Sequence, residues 1–372
     1  SGVVVSSDEI VKVDCTLTAG VKIDEVIVTE HKITLVKQDG GSSTAIGDKE
    51  FKALATRGVA GAATMVGGVQ EDGDGGIGSI RGARDDDNAS FIYVDGVKVR
   101  GSSAVTVAAT AEVKVFTGGI PAKYGDASGG IISITTKGAA EKTHGGVEIL
   151  TSGYDFGETT IGFDNYNYNL LAVNLTGPLL KIKDKSDPEG KKKRSIIGYF
   201  MSTELTYRKD RDPSANGVWK VNDDKLAELR LNPVQRNPVG GTDLSAEFIN
   251  KSDMELVKSK QNIPFKSVVA NANLDFVTTP NITLKIGGSI DYNVRREYSF
   301  DNSLFNVDNN GQDINNTWRV FGRYTQRFNK KDIDPDNPPA VMNALYNIQV
   351  DYSNYTRTRQ DDSHGDNLFN YG

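Results

Sequence analysis

His31, His144 and His364 are the only histidines in the 372-residue chain, and Cys15 is its only cysteine. Their separations match neither HExxH nor any Cys/His zinc spacing, so metallohydrolase and Ser–His or Cys–His chemistry find no residue set to run on. Carboxylates cluster twice, as Asp72-Gly73-Asp74 and as Asp85-Asp86-Asp87. Consecutive carboxylates on an extended chain point in different directions, and neither cluster has EF-hand spacing, so both read as solvated loops. Gly118, Gly119, Gly125, Gly129 and Gly130 form a glycine-rich run. No Lys-Ser/Thr follows it to open a helix, so the run reads as backbone needing φ > 0 or close approach, not as a phosphate cradle. The chain therefore reads as a non-enzyme, with no cofactor and no metal implied. Two basic sets remain. Lys191 to Arg194 sits in a connection containing Pro and Gly and reads as a solvated turn, lipid phosphate contact being the alternative. Arg319, Arg323 and Arg327 share one parity. They suit either a channel for anionic cargo or pairing with neighbouring carboxylates.

The elements that must position these residues are β-rich. The chain carries 39 Gly, 14 Tyr and 14 Phe, which favours strands and turns over helical bundles. A formal net charge of −6 with no basic domain argues against a nucleic-acid partner. Cys15 alternates with Val11, Val13 and Leu17 on the apolar side of one half-buried strand, where it reads as a small buried hydrophobe. A lone strand cannot fold, so residues 1–20 read as the end of an upstream β domain. The opening SGVVVSSDEI has neither a basic n-region nor an apolar h-region. The expectation is thus a mature or truncated piece. Residues 21–50 are polar, with one extended patch, Asp24, Glu25, Val26, Ile27, Val28 and Thr29, and read as a linker.

Residues 51–138 read as a compact α+β unit. Phe51, Leu54, Ala55 and Val59 suit one short helix face. Residues 79–82, 91–94, 112–116 and 131–135 suit strands, and Asp95-Gly96 between them is a type I′ hairpin signal. From 139 to 372 the alternation is strict. Val268, Ala270, Ala272, Leu274 and Phe276 oppose Asn271, Asn273 and Asp275. Ile286, Ile290 and Tyr292 oppose Lys285, Ser289 and Asp291, and the same pattern recurs around 197–208, 318–328 and 346–352. With weaker strands at 146–152 and 168–177, this makes roughly seven antiparallel strands of about 9–13 residues, long enough to cross a bilayer with tilt. A soluble sandwich and a membrane barrel share this alternation. Strand length, aromatic pairs near strand ends (Tyr199 with Tyr207, Tyr292 with Tyr298, Tyr346 with Tyr352) and the long 209–264 connection beside a tight turn at 279–281 favour the barrel. Seven strands leave two open edges, which predicts an incomplete barrel.

Three blocks carry a resemblance: Ser79-Ile80-Arg81-Gly82; Tyr93-Val94-Asp95-Gly96-Val97; and residues 118–138, GGIPAKYGDASGGIISITTKG. In this order they resemble the plug of a TonB-dependent outer-membrane receptor, carried by Ile80, Arg81, Gly82, Tyr93, Asp95, Gly96, Gly118, Gly119, Tyr124, Gly125, Gly129 and Gly130. Leu175 to Leu179 is similar to the family's second barrel strand, and 366–372 to barrel segments of Bacteroidota members. Val105 to Thr110 departs from the pattern, standing where many members carry proline. Residues 24–30 resemble a TonB box following a carboxypeptidase-regulatory-like domain, as in SusC-like members. The resemblance implies a plug over 51–138, the first part of a barrel of roughly 22 strands over 139–372, and an outer-membrane location with a periplasmic N-terminal segment. It further implies a TonB-like energy-coupling partner at 24–30, contact with outer-membrane lipid, a surface lipoprotein partner, and active import of a glycan, peptide or metal chelate. An extended segment donates backbone hydrogen bonds by adding to a partner's sheet edge, which suits 24–30. Arg81 and Arg84 are candidates for ion pairs with Glu204 or Asp275. The rival readings are a structural or interaction subunit of an outer-membrane assembly, and a soluble β-rich adhesin.

Overall fold

The computed structural model describes residues 42–54, 56–71, 77–82, 90–99, 102–122, 124–125, 129–156, 159–183, 193–279, 281–327, 344–361, 364, 365, 367 and 369. Contacts divide the chain into two units, one within 42–98 and 111–135, the other comprising 99–110 and the chain from 136 onward.

The first unit begins with β1 (Ser42–Gly47), α1 (Asp48–Ala53) and α2 (Gly58–Thr64). The single helix face expected over 51–59 is thus two short helices. Leu54 is extended, and Gly58 at φ +85° turns the chain into α2, a corner that favours glycine. β1 falls in the stretch read as linker, whose polar composition hides an edge strand that exposes most of its side chains. The strands β2 (Val69–Glu71) and β3 (Ile77–Ile80) pair with each other. β4 (Ser90–Val94), β5 (Val97–Val99), β6 (Thr110–Gly118) and β7 (Gly130–Thr136) join β1 in a five-stranded sheet of order β1-β6-β7-β4-β5. Between β4 and β5, Asp95 and Gly96 stand at φ +53° and +84°, the two positive angles that a type I′ turn requires. β7 lies between β6 and β4. Ile131, Ile132 and Ile134 are buried on it, a near-continuous apolar run because both of its faces are covered.

The second unit is built on an antiparallel meander. β8 (His144–Thr151) is followed by a small hairpin of β9 (Gly153–Phe156) and β10 (Thr159–Gly162), then by β11 (Tyr168–Lys183) and β12 (Lys193–Arg208). The long connection after β12 folds into β13 (Val218–Val221), α3 (Asp223–Leu231), β14 (Val234–Arg236), β15 (Thr242–Leu244) and β16 (Met254–Val257). β17 (Phe265–Thr279), β18 (Ile282–Arg296), β19 (Gln312–Arg327) and β20 (Leu345–Gln360) complete the sheet, in the order β8-β11-β12-β17-β18-β19-β20. Six of these strands run 15–16 residues, longer than the alternation suggested. Hydrophobic alternation fades at their polar ends, while the backbone ladder continues through them.

The sidedness of this sheet decides its class. On the central strands Leu274 is 39% and Ile286 48% exposed, whereas Asn271, Asp291 and Arg319 on the opposite face are 9%, 8% and 4% exposed. A soluble sandwich would bury the leucine and isoleucines and wet the polar row. The reverse is seen, as expected of a barrel wall whose apolar side meets hydrocarbon. The fold class is therefore an α+β unit followed by seven strands of an incomplete antiparallel β-barrel. Two aromatic residues break the simple partition: Phe200 and Phe321 are buried on the polar face. Phe321 fits there because it packs over Gly287, where any Cβ would lie 2.8 Å from its ring.

Candidate functional site

In the first unit the resemblance blocks converge as a packing set. The Tyr93 and Tyr124 rings meet edge-on at 4.8 Å between centroids, and Phe116 lies 5.5 Å from Tyr124. With Phe91, Ile131 and the half-buried Ile120 they form one core cluster. Gly130 is small because fully buried Ile80 occupies the space its Cβ would take, at 2.5 Å. Gly118 similarly lies under the Arg81 guanidinium. Arg81, Gly82 and Gly119 adopt positive φ, at +54°, +69° and +60°, and the Arg81 N–H donates to Gly68 at 2.6 Å. Gly125 is exposed and Gly129 buried. These residues shape the unit; they do not converge on a reaction centre.

In the second unit the polar face of β12 and β17 holds two chain segments by their backbones. Asn271 accepts the Thr106 N–H at 2.8 Å and donates to the Ala104 carbonyl at 2.6 Å. Thr106 and Ser202 hydroxyls share a hydrogen bond of 2.6 Å, and Glu204 accepts the Val107 N–H at 2.7 Å. Segment 136–143 is seated alongside. Asp275 accepts the Ala139 N–H at 2.5 Å, Thr176 accepts the Ala140 N–H at 3.0 Å, and Asn273 and Lys285 both donate to the Lys137 carbonyl. Ala139 rests on Gly198, whose Cβ would come within 2.5 Å of it. Lys137 closes the set by donating from its backbone to Ala109 and from its ammonium to Ala108. Glu204 and Asp275, expected to meet arginine, thus bind main-chain N–H groups. A carboxylate is a strong acceptor for such donors.

At the end of the sheet bearing the long connections, three loops are tied together. Lys209 and Asp210 donate their N–H groups to the Tyr166 carbonyl, and the Ser259 hydroxyl donates to Asn165. Fully buried Asp210 accepts the Lys260 N–H at 2.7 Å and faces its ammonium at 3.2 Å. Asn262 donates to Val307, and buried Asn310 donates back to Gln261 and Asn262. In the same cluster Lys220 lies 2.8 Å from Asp223 and 3.2 Å from Glu255; the Asp223 hydrogen bond foremost holds its ammonium above the ordinary lysine range.

Sequence reasoning singled out neither Asn271 nor the Asp210–Lys260 pair. Their partners lie up to 167 residues away, so no local spacing announces them. Among the arginines of one parity, Arg319 donates to Asp351 on the next strand at 2.7 Å and Arg323 to Gln349 at 2.8 Å, while Arg327 is exposed at the strand end. Arg194, expected in a solvated turn, opens β12 and caps the Thr278 carbonyl at 2.9 Å. Asp24 to Thr29, Asp72, Asp74, Arg84, Asp85 to Asp87 and Lys191 lie outside the described residues.

Among the described residues no helix is long and apolar enough to cross a membrane, which leaves crossing by strands open. No protein-family model and no curated protein matches the sequence. Among solved structures, the outer membrane transporter YddB from Escherichia coli aligns over 86% of this chain and 40% of its own, with a TM-score of 0.51 and 11% identity. The siderophore receptor PirA from Pseudomonas aeruginosa aligns over 85% of this chain and 41% of its own, at 0.45 and 14%. A mutant of the ferric enterobactin receptor PfeA from the same organism aligns over 83% and 44%, at 0.44 and 14%. The chain thus spans less than half the length of each. With its α+β unit and outward-facing apolar strands, it has the fold of part of an outer-membrane transporter.

Proposed function

We propose that the chain is the plug and first barrel strands of a TonB-dependent, SusC-like outer-membrane transporter that imports a nutrient: a glycan, a peptide or a metal chelate. The observation that carries this reading is the inverted sidedness of the seven-stranded sheet, with aliphatic residues exposed and amides and charges covered. The resemblance blocks support it, because Tyr93, Phe116, Tyr124 and Ile131 of residues 79–98 and 111–135 pack in one core of the first unit. In this reading the unit gates the barrel, and residues 24–30 add as a strand to a TonB-like periplasmic partner that supplies the work. A surface lipoprotein on the outer loops completes the assembly. No step needs covalent chemistry.

The test takes the full-length protein in its host. It should fractionate with the outer membrane, require detergent for extraction, and lose cargo uptake when 24–30 is scrambled. Unchanged growth on the cargo would favour a structural subunit, and release without detergent would favour a soluble adhesin.

A further inference from the structure

The β11–β12 hairpin outruns its neighbours. β8 pairs with β11 only as far as Thr176, and β17 pairs with β12 only as far as Ile197. Beyond those points β11 runs on to Lys183 and β12 starts back at Lys193. Over this stretch the two strands pair with each other and with no third strand among the described residues. Arg194 reaches sideways, to the Val277 and Thr278 carbonyls of β17. The projecting end exposes Leu179, Leu180, Lys181, Ile182, Lys183 and Lys193. No carboxylate stands in 177–183 or 193–200. Exposed Lys142 lies just before β8 at the same end, with exposed Glu141 beside it to offset its charge. The next hairpin is different: β17 closes on Thr278 and Thr279, and β18 opens on Ile282 and Thr283. Three exposed lysines are thus gathered on one hairpin and absent from its neighbour.

Strand length fixes where these lysines sit. Sixteen residues make a strand roughly 54 Å long. At the tilt of a barrel strand that is about 40 Å of height, against an apolar band about 25 Å tall. The excess leaves the hydrocarbon at the two ends. The outer backbone edges of the hairpin give a second reason, because lipid-exposed strand edges without a partner do not occur within hydrocarbon. Those edges need water, while Leu179, Leu180 and Ile182 gain from apolar contact. The headgroup layer supplies both. There a lysine stem lies along apolar side chains while its ammonium extends to phosphate.

Resting on the barrel reading above, we infer that the end of the β11–β12 hairpin, Leu179 to Lys183 with Lys193, is a membrane-surface site for anionic phospholipid. Its ammonium groups hold lipid phosphate, and the apolar residues between them enter the acyl boundary. The hairpin thereby sets the depth of the wall in one leaflet and gathers acidic lipid beside it.

The experiment uses purified full-length protein in phosphatidylcholine vesicles, freed of other cysteines (Cys15→Ser included) and labelled with nitrobenzoxadiazole at Ile182→Cys. Spin-labelled phosphatidylglycerol should quench the label about fivefold more efficiently than spin-labelled phosphatidylcholine at equal mole fraction. The preference should vanish with Lys181→Gln, Lys183→Gln and Lys193→Gln combined, and survive when the same three become Arg. It should shrink toward about 1 M salt, where the screening length is about 3 Å. The same label at Thr278→Cys, on the neighbouring hairpin, should show no preference. Equal quenching by the two lipids at Ile182→Cys, quenching by neither, or an equal preference at Thr278→Cys would overturn the inference. So would a preference abolished by inorganic phosphate but not by sodium chloride of equal ionic strength, which would assign the lysines to free phosphate. A label at Leu274→Cys tests the barrel reading separately, and chain-labelled forms of both lipids should quench it. Quenching there without preference at Ile182→Cys would sink this inference alone; no quenching there would count against the barrel reading itself.

Discussion

A methyl group at Gly130 would lie 2.5 Å from Ile80 Cγ2 and 2.6 Å from its Cδ1, and Ile80 is fully buried with nowhere to retreat. A methyl group at Gly118 would meet only the tip of the exposed Arg81 side chain. The two glycines look alike in sequence and differ in consequence. Gly130→Ala should destabilise the first unit by about 1–3 kcal/mol, as overpacking does, while Gly118→Ala should stay within about 0.5 kcal/mol. Denaturant melts of the two variants check this, and equal shifts would show that the Ile80 contact is not what limits position 130. Gly287 is the counterpart in the barrel wall. Its Cβ would meet the Phe321 ring at 2.8 Å and the Ala272 carbonyl at 2.9 Å. Gly287→Ala should lower the melting temperature, and the added substitution Phe321→Leu should recover part of the loss by vacating the ring.

Whole elements are held by a few polar side chains whose loss should be felt locally. Asn271 serves both the Thr106 N–H and the Ala104 carbonyl in a buried setting. Asn271→Ala leaves both unmet, which costs about 1–3 kcal/mol for each buried group. Amide exchange at Thr106 and Val107 should accelerate by at least an order of magnitude, with β19 and β20 unchanged. The loop collar depends in the same way on Asp210. Lys260→Met removes its cation while the carboxylate stays buried, a change worth about 3 kcal/mol in comparable settings. Limited proteolysis should then cut within 209–264 at protease levels that leave the wild type intact. A collar as resistant as before would mean that the main-chain bonds to Asp210 suffice alone.

At the scale of the molecule, the side of each strand that meets hydrocarbon follows from parity. A lysine at Ile286 should cost about 2–4 kcal/mol of folding into bilayers, because a charge on the lipid-facing side must be dragged into hydrocarbon. Ser289→Gln, on the polar face, should fold as the wild type. Refolding into lipid vesicles, followed by the shift in gel mobility between heated and unheated samples, measures both. Equal behaviour of the two variants would contradict the assigned sidedness.

What the sequence by itself determined was whatever repeats over short spans. The period-two alternation marks six long strands and their exposed face, Asp95-Gly96 marks its turn, and the apolar runs at 91–94 and 131–135 mark strands of the α+β unit. Local periodicity suffices there because a strand's two faces and a turn's backbone angles depend on neighbours along the chain. It fails at β1, where a polar edge strand looks like a linker, and at α1 and α2, where a corner at Gly58 interrupts one apolar pattern. Tertiary structure alone decided that Gly130 exists for Ile80, that Asn271 and Glu204 grip residues 104–107, that Asp210 belongs to Lys260, and that Arg319 and Arg357 meet carboxylates across neighbouring strands. Each of these joins groups distant in sequence. Their hydrogen bonds and close contacts are set by strand register and by the space left after packing, which no short stretch of residues encodes.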